Sequence, residues 1–153
     1  YAVALDKDLE FNINTGGQLS LDDLLNSEQS GITGPDKLSG FTSGSISGDE
    51  SWYFRGQLNY KKKLSNKLTF TPYVYGATGV SYTFTPTATE NRATAAKAIG
   101  LGLKMDGIDN YFFDKNISAK VEYSKNWATG VLEDVSDVRL NKQHLLVNLA
   151  MNF

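Results

Sequence analysis

Apolar and polar residues alternate with a period of two along six stretches of the chain, and that period predicts β-strands. Leu9, Phe11 and Ile13 alternate with Glu10, Asn12 and Asn14, and Trp52, Phe54, Leu58 and Tyr60 with Tyr53, Arg55, Gln57 and Asn59. Leu68, Phe70, Pro72 and Val74 alternate with Thr69, Thr71, Tyr73 and Tyr75, and Ile99, Leu101, Leu103 and Met105 with Ala98, Gly100, Gly102 and Lys104. The last two are Ile117 to Tyr123 against Ser118, Lys120, Glu122 and Ser124, and Leu145 to Phe153 against His144, Asn148, Ala150 and Asn152. Tyr1–Leu5 reads as the tail of a further strand, stopped by Asp6-Lys-Asp8. Each stretch has about the 9–11 residues that a tilted strand needs to cross a bilayer.

The connections alternate between short and long. The long ones are Leu21–Ser51, the Thr-rich 81–94, and a loop of about 15 residues centred on Glu133–Asp137; Lys61–Lys67 and the turn opened by Asp106–Asn110 are short. Outer-membrane barrels carry this asymmetry, with short periplasmic turns and long extracellular loops. The pattern therefore predicts an antiparallel transmembrane β-barrel portion, about six strands plus the end of another, with Trp52 and Trp127 near the outer rim and Tyr60 and Phe153 near the inner one. Lys97 and Lys125 fall on the lipid side near strand ends, where long side chains snorkel. Pro72 is a counter-signal, because proline removes a ladder hydrogen bond; near the start of a strand it is tolerated. A soluble sandwich or ligand-binding barrel alternates in the same way, so periodicity leaves both open.

The loop Leu21–Ser51 is the least regular part of the chain. Between Ser27 and Ser51 it holds seven serines and five glycines, with Ile32, Leu38, Phe41 and Ile46 as isolated apolar residues. Such a segment cannot order itself with a core of its own, yet its spaced apolar residues suit packing inside something else. Loops of this length in a compact domain are functional or disordered, and we expect a function here.

Composition narrows the classes. The 153 residues suffice for one domain; they contain no cysteine, and 15 basic against 17 acidic residues leave a net charge of −2, so no nucleic-acid footprint is visible. No apolar run approaches a membrane helix and no signal peptide is present; a start at Tyr1 rather than Met suggests a processed product or a piece of a longer chain.

Two stretches go beyond periodicity. Leu25-Asn-Ser-Glu-Gln29, Gly34-Pro-Asp-Lys-Leu-Ser-Gly-Phe41 and Gly48-Asp-Glu-Ser-Trp-Tyr-Phe-Arg-Gly-Gln-Leu58 together resemble the haemolysin-activator family of two-partner secretion transporters, and Thr71-Pro-Tyr-Val-Tyr-Gly-Ala-Thr-Gly-Val80 is similar to that family's wall strand. Ile99-Gly-Leu-Gly-Leu103 resembles the glycine-bearing strand that follows, and Phe153 the C-terminal aromatic assembly signal of outer-membrane proteins. The resemblance implies a sixteen-stranded barrel in the bacterial outer membrane, placed there by the barrel assembly machinery in contact with outer-membrane lipid. It would export a large secreted protein, an adhesin or cytolysin, without a cofactor. This chain would be the C-terminal barrel part, with periplasmic domains absent from it. The related barrel insertases share the loop motif and the wall strand, and Gly48, Asp49 and Arg55 tilt the reading towards secretion. A passive porin would not be expected to carry this loop motif.

In the family, the loop tip reads VRGF and its Arg pairs with an Asp on the wall. Here the tip is Leu38, Ser39, Gly40 and Phe41, and the wall motif is Tyr75, Ala77 and Gly79, so Ser39 and Ala77 replace both charges. Removing one partner of a buried pair costs about 3–5 kcal/mol, whereas removing both is close to neutral. We therefore expect the loop to enter the lumen held by Phe41 packing and weaker hydrogen bonds. Arg55, Lys120 and Glu122 point to the lumen, where they tune the channel or anchor the loop.

Enzymatic chemistry is not indicated. His144 is the single histidine, which excludes a multi-histidine metal site, and it reads as a rim or lumen polar residue. Asp22-Asp23 and Asp106/Asp109 sit in turn-like contexts that favour Asp anyway, and the latter lacks the ligand count of a calcium loop. Gly100-Leu-Gly102 lies within a strand and so does not fit nucleotide binding. Lys61–Lys63 reads as a solvated turn.

Overall fold

The computed structural model describes residues 1–64, 68–87, 91–109, 116–131 and 138–151. These residues form strands and loops with no helix, in ten strands: β1 (Ala2–Ala4), β2 (Leu9–Gln18), β3 (Ser30–Gly31), β4 (Ser47–Gly48), β5 (Glu50–Tyr60), β6 (Lys62–Lys63), β7 (Thr69–Tyr82), β8 (Ala93–Asp109), β9 (Asn116–Val131) and β10 (Val138–Met151). One antiparallel sheet runs β1-β2-β5-β7-β8-β9-β10, with β6 on β7, and β3-β4 is a separate hairpin within the long loop. The tail of one strand and six long strands are thus present as the period predicts. The sheet does not close on itself: β1 and β10 remain its edges.

Strand ends differ from the sequence reading in informative ways. The loop spans 19–49 rather than Leu21–Ser51, because Ser51 already pairs with Gln18 and Ser81. Asp106–Asp109 does not open a turn. Gly107, at φ 84°, lies in a bulge between Asp106 and Ile108 that carries the β8–β9 ladder on to Asp109–Asn116. At the other end β9 and β10 continue to Gly130–Val138, so the connection expected to take about 15 residues is reduced to 132–137. On its β5/β6 side Pro72 falls between two ladders, one ending at Asn59–Tyr73 and the other beginning at Lys62–Phe70, while on the other side it stays in register with Leu103 of β8. Phe153 and Glu133–Asp137 lie outside the described residues.

The two faces of the sheet invert the usual order. The loop covers one face, here the inner face, and Ser51, Arg55, Asn59, Thr71, Ser81, Glu122, Ser124 and Asn126 on it are buried polar residues. The opposite face exposes Trp52, Val74, Val80, Ile99, Leu101, Val121, Tyr123, Leu145 and Val147, with Leu145 69% exposed. Soluble monomers rarely expose so continuous an apolar surface. A strand that meets hydrocarbon on one side and a polar interior on the other has this pattern.

Candidate functional site

The loop is ordered by what lies beneath it. On the inner face Ala77 and Gly79 of β7, Ala96 and Ala98 of β8 and Ala128 of β9 leave a shallow floor of small residues. Ile32 and Leu38 fill it, each 0% exposed, with Phe41, Ile46 and Tyr53 packed at its margin. A Cβ at Gly79 would stand 3.0 Å from Ile32 Cδ1 and 3.2 Å from Leu38 Cδ1, so the glycine makes room for the pair. Burying two such side chains is worth about 1.5–3 kcal/mol each, which begins to offset the ordering of the loop.

A tight reversal sets the tip. Gly34, at φ 144°, accepts from the Lys37 N–H at 3.1 Å, and Thr33 bridges to Leu38. Lys37 Nζ donates to the Gly31 carbonyl, and Asn14 Nδ2 of β2 donates to the Asp36 carbonyl at 2.7 Å. At the far base of the loop, Asp49 accepts from the N–H groups of Leu24 (2.9 Å) and Phe84 (2.8 Å) and from Gln29 Nε2 (3.1 Å). Burial pushes the Asp49 carboxyl up, but the Phe84, Leu24 and Gln29 donors outweigh burial and hold it below its ordinary value. Gly48 beside it is required by space, because a Cβ there would lie 2.5 Å from Ser81 Oγ.

The tip itself is clamped by charge. The Ser39 hydroxyl donates to Glu122 Oε1 of β9, accepts from Arg55 Nη1 of β5 at 2.7 Å, and lies 3.0 Å from the Tyr75 hydroxyl. Arg55 Nη2 is 3.4 Å from Glu122 Oε2, and both side chains are nearly inaccessible at 4% and 1%. Glu122 Oε2 also accepts from Tyr73 Oη at 2.6 Å and forms an ion pair with Lys120 Nζ at 3.3 Å. Arg55 spreads its remaining donors over the Lys37 carbonyl (3.2 Å) and Gln57 Oε1 (2.8 Å), and its guanidinium lies 3.7 Å from the centroid of the Tyr75 ring. On the next residue, Asn126 Nδ2 donates to the Gly40 carbonyl at 2.6 Å, and any side chain at position 40 would overlap that amide.

Glycines on β8 let β7 reach this centre. In register, Tyr73 pairs with Gly102 and Gly102 with Glu122, while Tyr75 pairs with Gly100. A Cβ at Gly100 or Gly102 would overlap the Tyr75 or Tyr73 ring. The tyrosines therefore lie across β8, covering its glycines, and bring their hydroxyls to Ser39 and Glu122.

The structure brings Ser39, Gly40, Tyr75, Arg55, Lys120 and Glu122 into one network, and Asp49 and Gly48 into a second at the loop base. Ala77 makes no polar contact with the tip; it lies in register with Arg55. His144, opposite Ser124 on β10, stands apart from the network. Arg55 and Glu122, expected on the lumen side, supply a cation and a carboxylate from β5 and β9. One expectation changes: the Ser39 bonds to them are charge-assisted rather than weak. Sequence reading missed Tyr73 and Asn126, although both follow from inward phase: Asn126 stands two and four positions beyond Ser124 and Glu122 on β9.

A family model for the haemolysin secretion/activation protein ShlB/FhaC/HecB matches residues 1–105. Neither the curated proteins nor the solved structures contain a match. With more than half its length matched and an antiparallel sheet that is polar inside and apolar outside, the chain belongs to the haemolysin secretion/activation family, the β-barrel transporters that carry a secreted partner across the Gram-negative outer membrane by two-partner secretion.

Proposed function

We propose that this chain supplies the C-terminal part of a protein-conducting outer-membrane barrel, and that the loop 19–49 is the plug of its pore. The carrying observation is the neutral tip, Leu38-Ser39-Gly40, held on the polar inner face by Arg55 and Glu122. The long connections face outwards, the exposed apolar side meets lipid, and the barrel assembly machinery inserts the whole. Two unpaired edges, β1 and β10, support this partial assignment, because hydrocarbon does not tolerate open sheet edges and further strands must complete the wall. The exported partner is a large adhesin or cytolysin that crosses unfolded once the loop has left the inner face. No residue of the network is arranged for covalent chemistry, and the reading is transport without catalysis.

The test uses the full-length transporter. Deleting 31–46 should raise the single-channel conductance in planar bilayers, and locking the tip should stop export. The lock is a disulfide between cysteines placed at Gly40 and Asn126, formed by oxidant and released by reductant. Export that continues through the oxidised lock would refute the plug.

A further inference from the structure

The outward face carries one feature that the transport reading does not use. Its side chains form rows across the strands: Trp52–Val80–Ala95–Thr129, then Phe54–Thr78–Lys97–Trp127, then Gly56–Gly76–Ile99–Lys125–Gln143. Below these, the rows through Val74–Leu101–Tyr123–Leu145 and Pro72–Leu103–Val121–Val147 are apolar save for the Tyr123 hydroxyl, which donates to Gln143 Oε1 at 2.9 Å. From the row of Phe54 to the row of Pro72, Lys97 and Lys125 are the only charged outward positions among the described residues, and Arg139 of β10 extends the Trp52 row opposite Thr129. The described cations of the inner face behave differently: Arg55 and Lys120 meet Glu122, and Lys104 meets Asp106 at 3.0 Å. Neither Lys97 nor Lys125 meets an acidic side chain among the described residues.

The two lysines are diagonal neighbours on adjacent strands, which places their Cα atoms roughly 7–8 Å apart. Trp127 lies between them, paired with Lys97 across the ladder and 5.4 Å from Lys125 Nζ at its ring centroid. On the side of the long loops they stand one and two rows in from the Trp52–Val80–Ala95 row. Two ammonium groups with no carboxylate partner at a hydrocarbon border call for an anion or water, and their spacing allows both to grip one phosphate while Trp127, already under Lys125, anchors the interface. We infer that Lys97, Lys125 and Trp127 form a site for a phosphate group of the outer-leaflet glycolipid, the phosphorylated diglucosamine lipid of Gram-negative bacteria. The glycolipid phosphate is favoured over an inner-leaflet phospholipid because the pair lies on the long-loop side. The inference therefore rests on the proposed orientation of the loops.

The experiment takes the intact transporter, extracted from its outer membrane, and counts bound lipid by native mass spectrometry. The probes are bis-phosphorylated lipid A, its dephosphorylated form, and phosphatidylglycerol. A basic residue near a lipid surface contributes about 1 kcal/mol, a factor of roughly 5. Lys97→Gln or Lys125→Gln should each lower bis-phosphorylated lipid A binding by about that factor, and the double variant by roughly 30-fold. Lys97→Arg with Lys125→Arg should retain binding, which separates lost charge from lost folding. The dephosphorylated lipid should bind weakly and respond to none of the changes. Undiminished binding in the double Gln variant, equal binding of the dephosphorylated lipid, or a preference for phosphatidylglycerol would each overturn the site. Orientation is read separately by labelling a Thr87→Cys variant on whole cells, using an exposed position in the connection between β7 and β8, outside the plug, in a chain without native cysteine. Labelled cells with unchanged lipid binding reject the site alone; unlabelled cells reject the orientation beneath it.

Discussion

Replacing Glu122 with Gln is the sharpest perturbation of the clamp. The carboxylate is 1% exposed and takes contacts from four groups: Ser39, Tyr73, Arg55 and Lys120. An amide of the same shape has one acceptor oxygen, which can serve about half of these donors, and it turns two N–H groups towards cations. Two lost hydrogen bonds to a charged group are worth about 1.5–3 kcal/mol each. Removing one side of a buried ion pair costs about 3–5 kcal/mol by an independent route, so the two estimates agree. Only the Ser39 bond among these contacts joins loop to wall, so the loop's own share is one charge-assisted bond of about 1.5–3 kcal/mol, and the lifted population rises by roughly one to two orders of magnitude. The assay is thiol labelling of a Thr33→Cys reporter, because position 33 is only 3% exposed and the chain contains no other cysteine. The Thr33 hydroxyl has no hydrogen-bond partner, so the reporter removes no bond. Labelling in the Glu122→Gln background should accelerate steeply and conductance should rise with it. The pair Arg55→Met, Glu122→Met should be milder than the sum of its single changes, since no buried charge is stranded when both leave. Unchanged labelling in Glu122→Gln, together with additive behaviour of the two Met changes, would refute a charge clamp.

Three further outcomes follow from the same contacts. Ser39→Arg places a third cation beside Arg55 and Lys120 with one carboxylate to share; heat-resistant migration of the folded transporter on gels should weaken well beyond the Ser39→Ala loss of about 1.5–3 kcal/mol, and Ala77→Asp should restore part of it. Gly102→Ala should displace the Tyr73 ring and lower the unfolding midpoint, whereas Gly76→Ala, with no atom within 4 Å of its Cβ, should leave the midpoint unchanged. Asp49 is held below its ordinary value, so its anchorage of the loop base is complete above that value and fades as pH falls towards the lowered one. Protease sensitivity of residues 19–49 should therefore rise on acidification, and Asp49→Asn should be sensitive already at neutral pH and flat across the same range.

Much of the fold was legible because the signal is local. Every pair such as Leu101–Gly102 or Val121–Glu122 obeys the period of two, and each strand can be phased without knowledge of its neighbours. Inward phase likewise places Arg55, Lys120 and Glu122 on one face. What could not be read is contact across strands: Arg55 and Glu122 are 67 residues apart, and Ser39 and Glu122 are 83 apart. Their meeting depends on register and on glycines at positions 100 and 102, whose purpose is invisible until the tyrosines are seen lying over them. Strand ends were misjudged at Asp106–Asp109 because polar residues and glycine usually mark turns, and here the glycine makes a bulge instead.

The relocation of the charges changes how the loop can leave. In the arrangement implied by the family resemblance, the loop carries the Arg, and lifting it strips a cation from the wall and strands a buried carboxylate. In this chain Arg55 and Glu122 both belong to the wall, and Lys120, Gln57 and Tyr73 continue to satisfy them when Ser39 departs. Departure then costs the Ser39 bonds, the Asn126–Gly40 bond and the burial of Ile32 and Leu38, with no ion pair broken. The clamp is thus a receptor for a neutral tip. Salt, which screens a partly hydrated ion pair, should have little effect on loop release here, whereas the Ser39→Arg, Ala77→Asp variant should release its loop faster as ionic strength rises. A strong salt dependence of Thr33→Cys labelling in the otherwise unaltered chain would contradict this account and return the charge pairing to the loop.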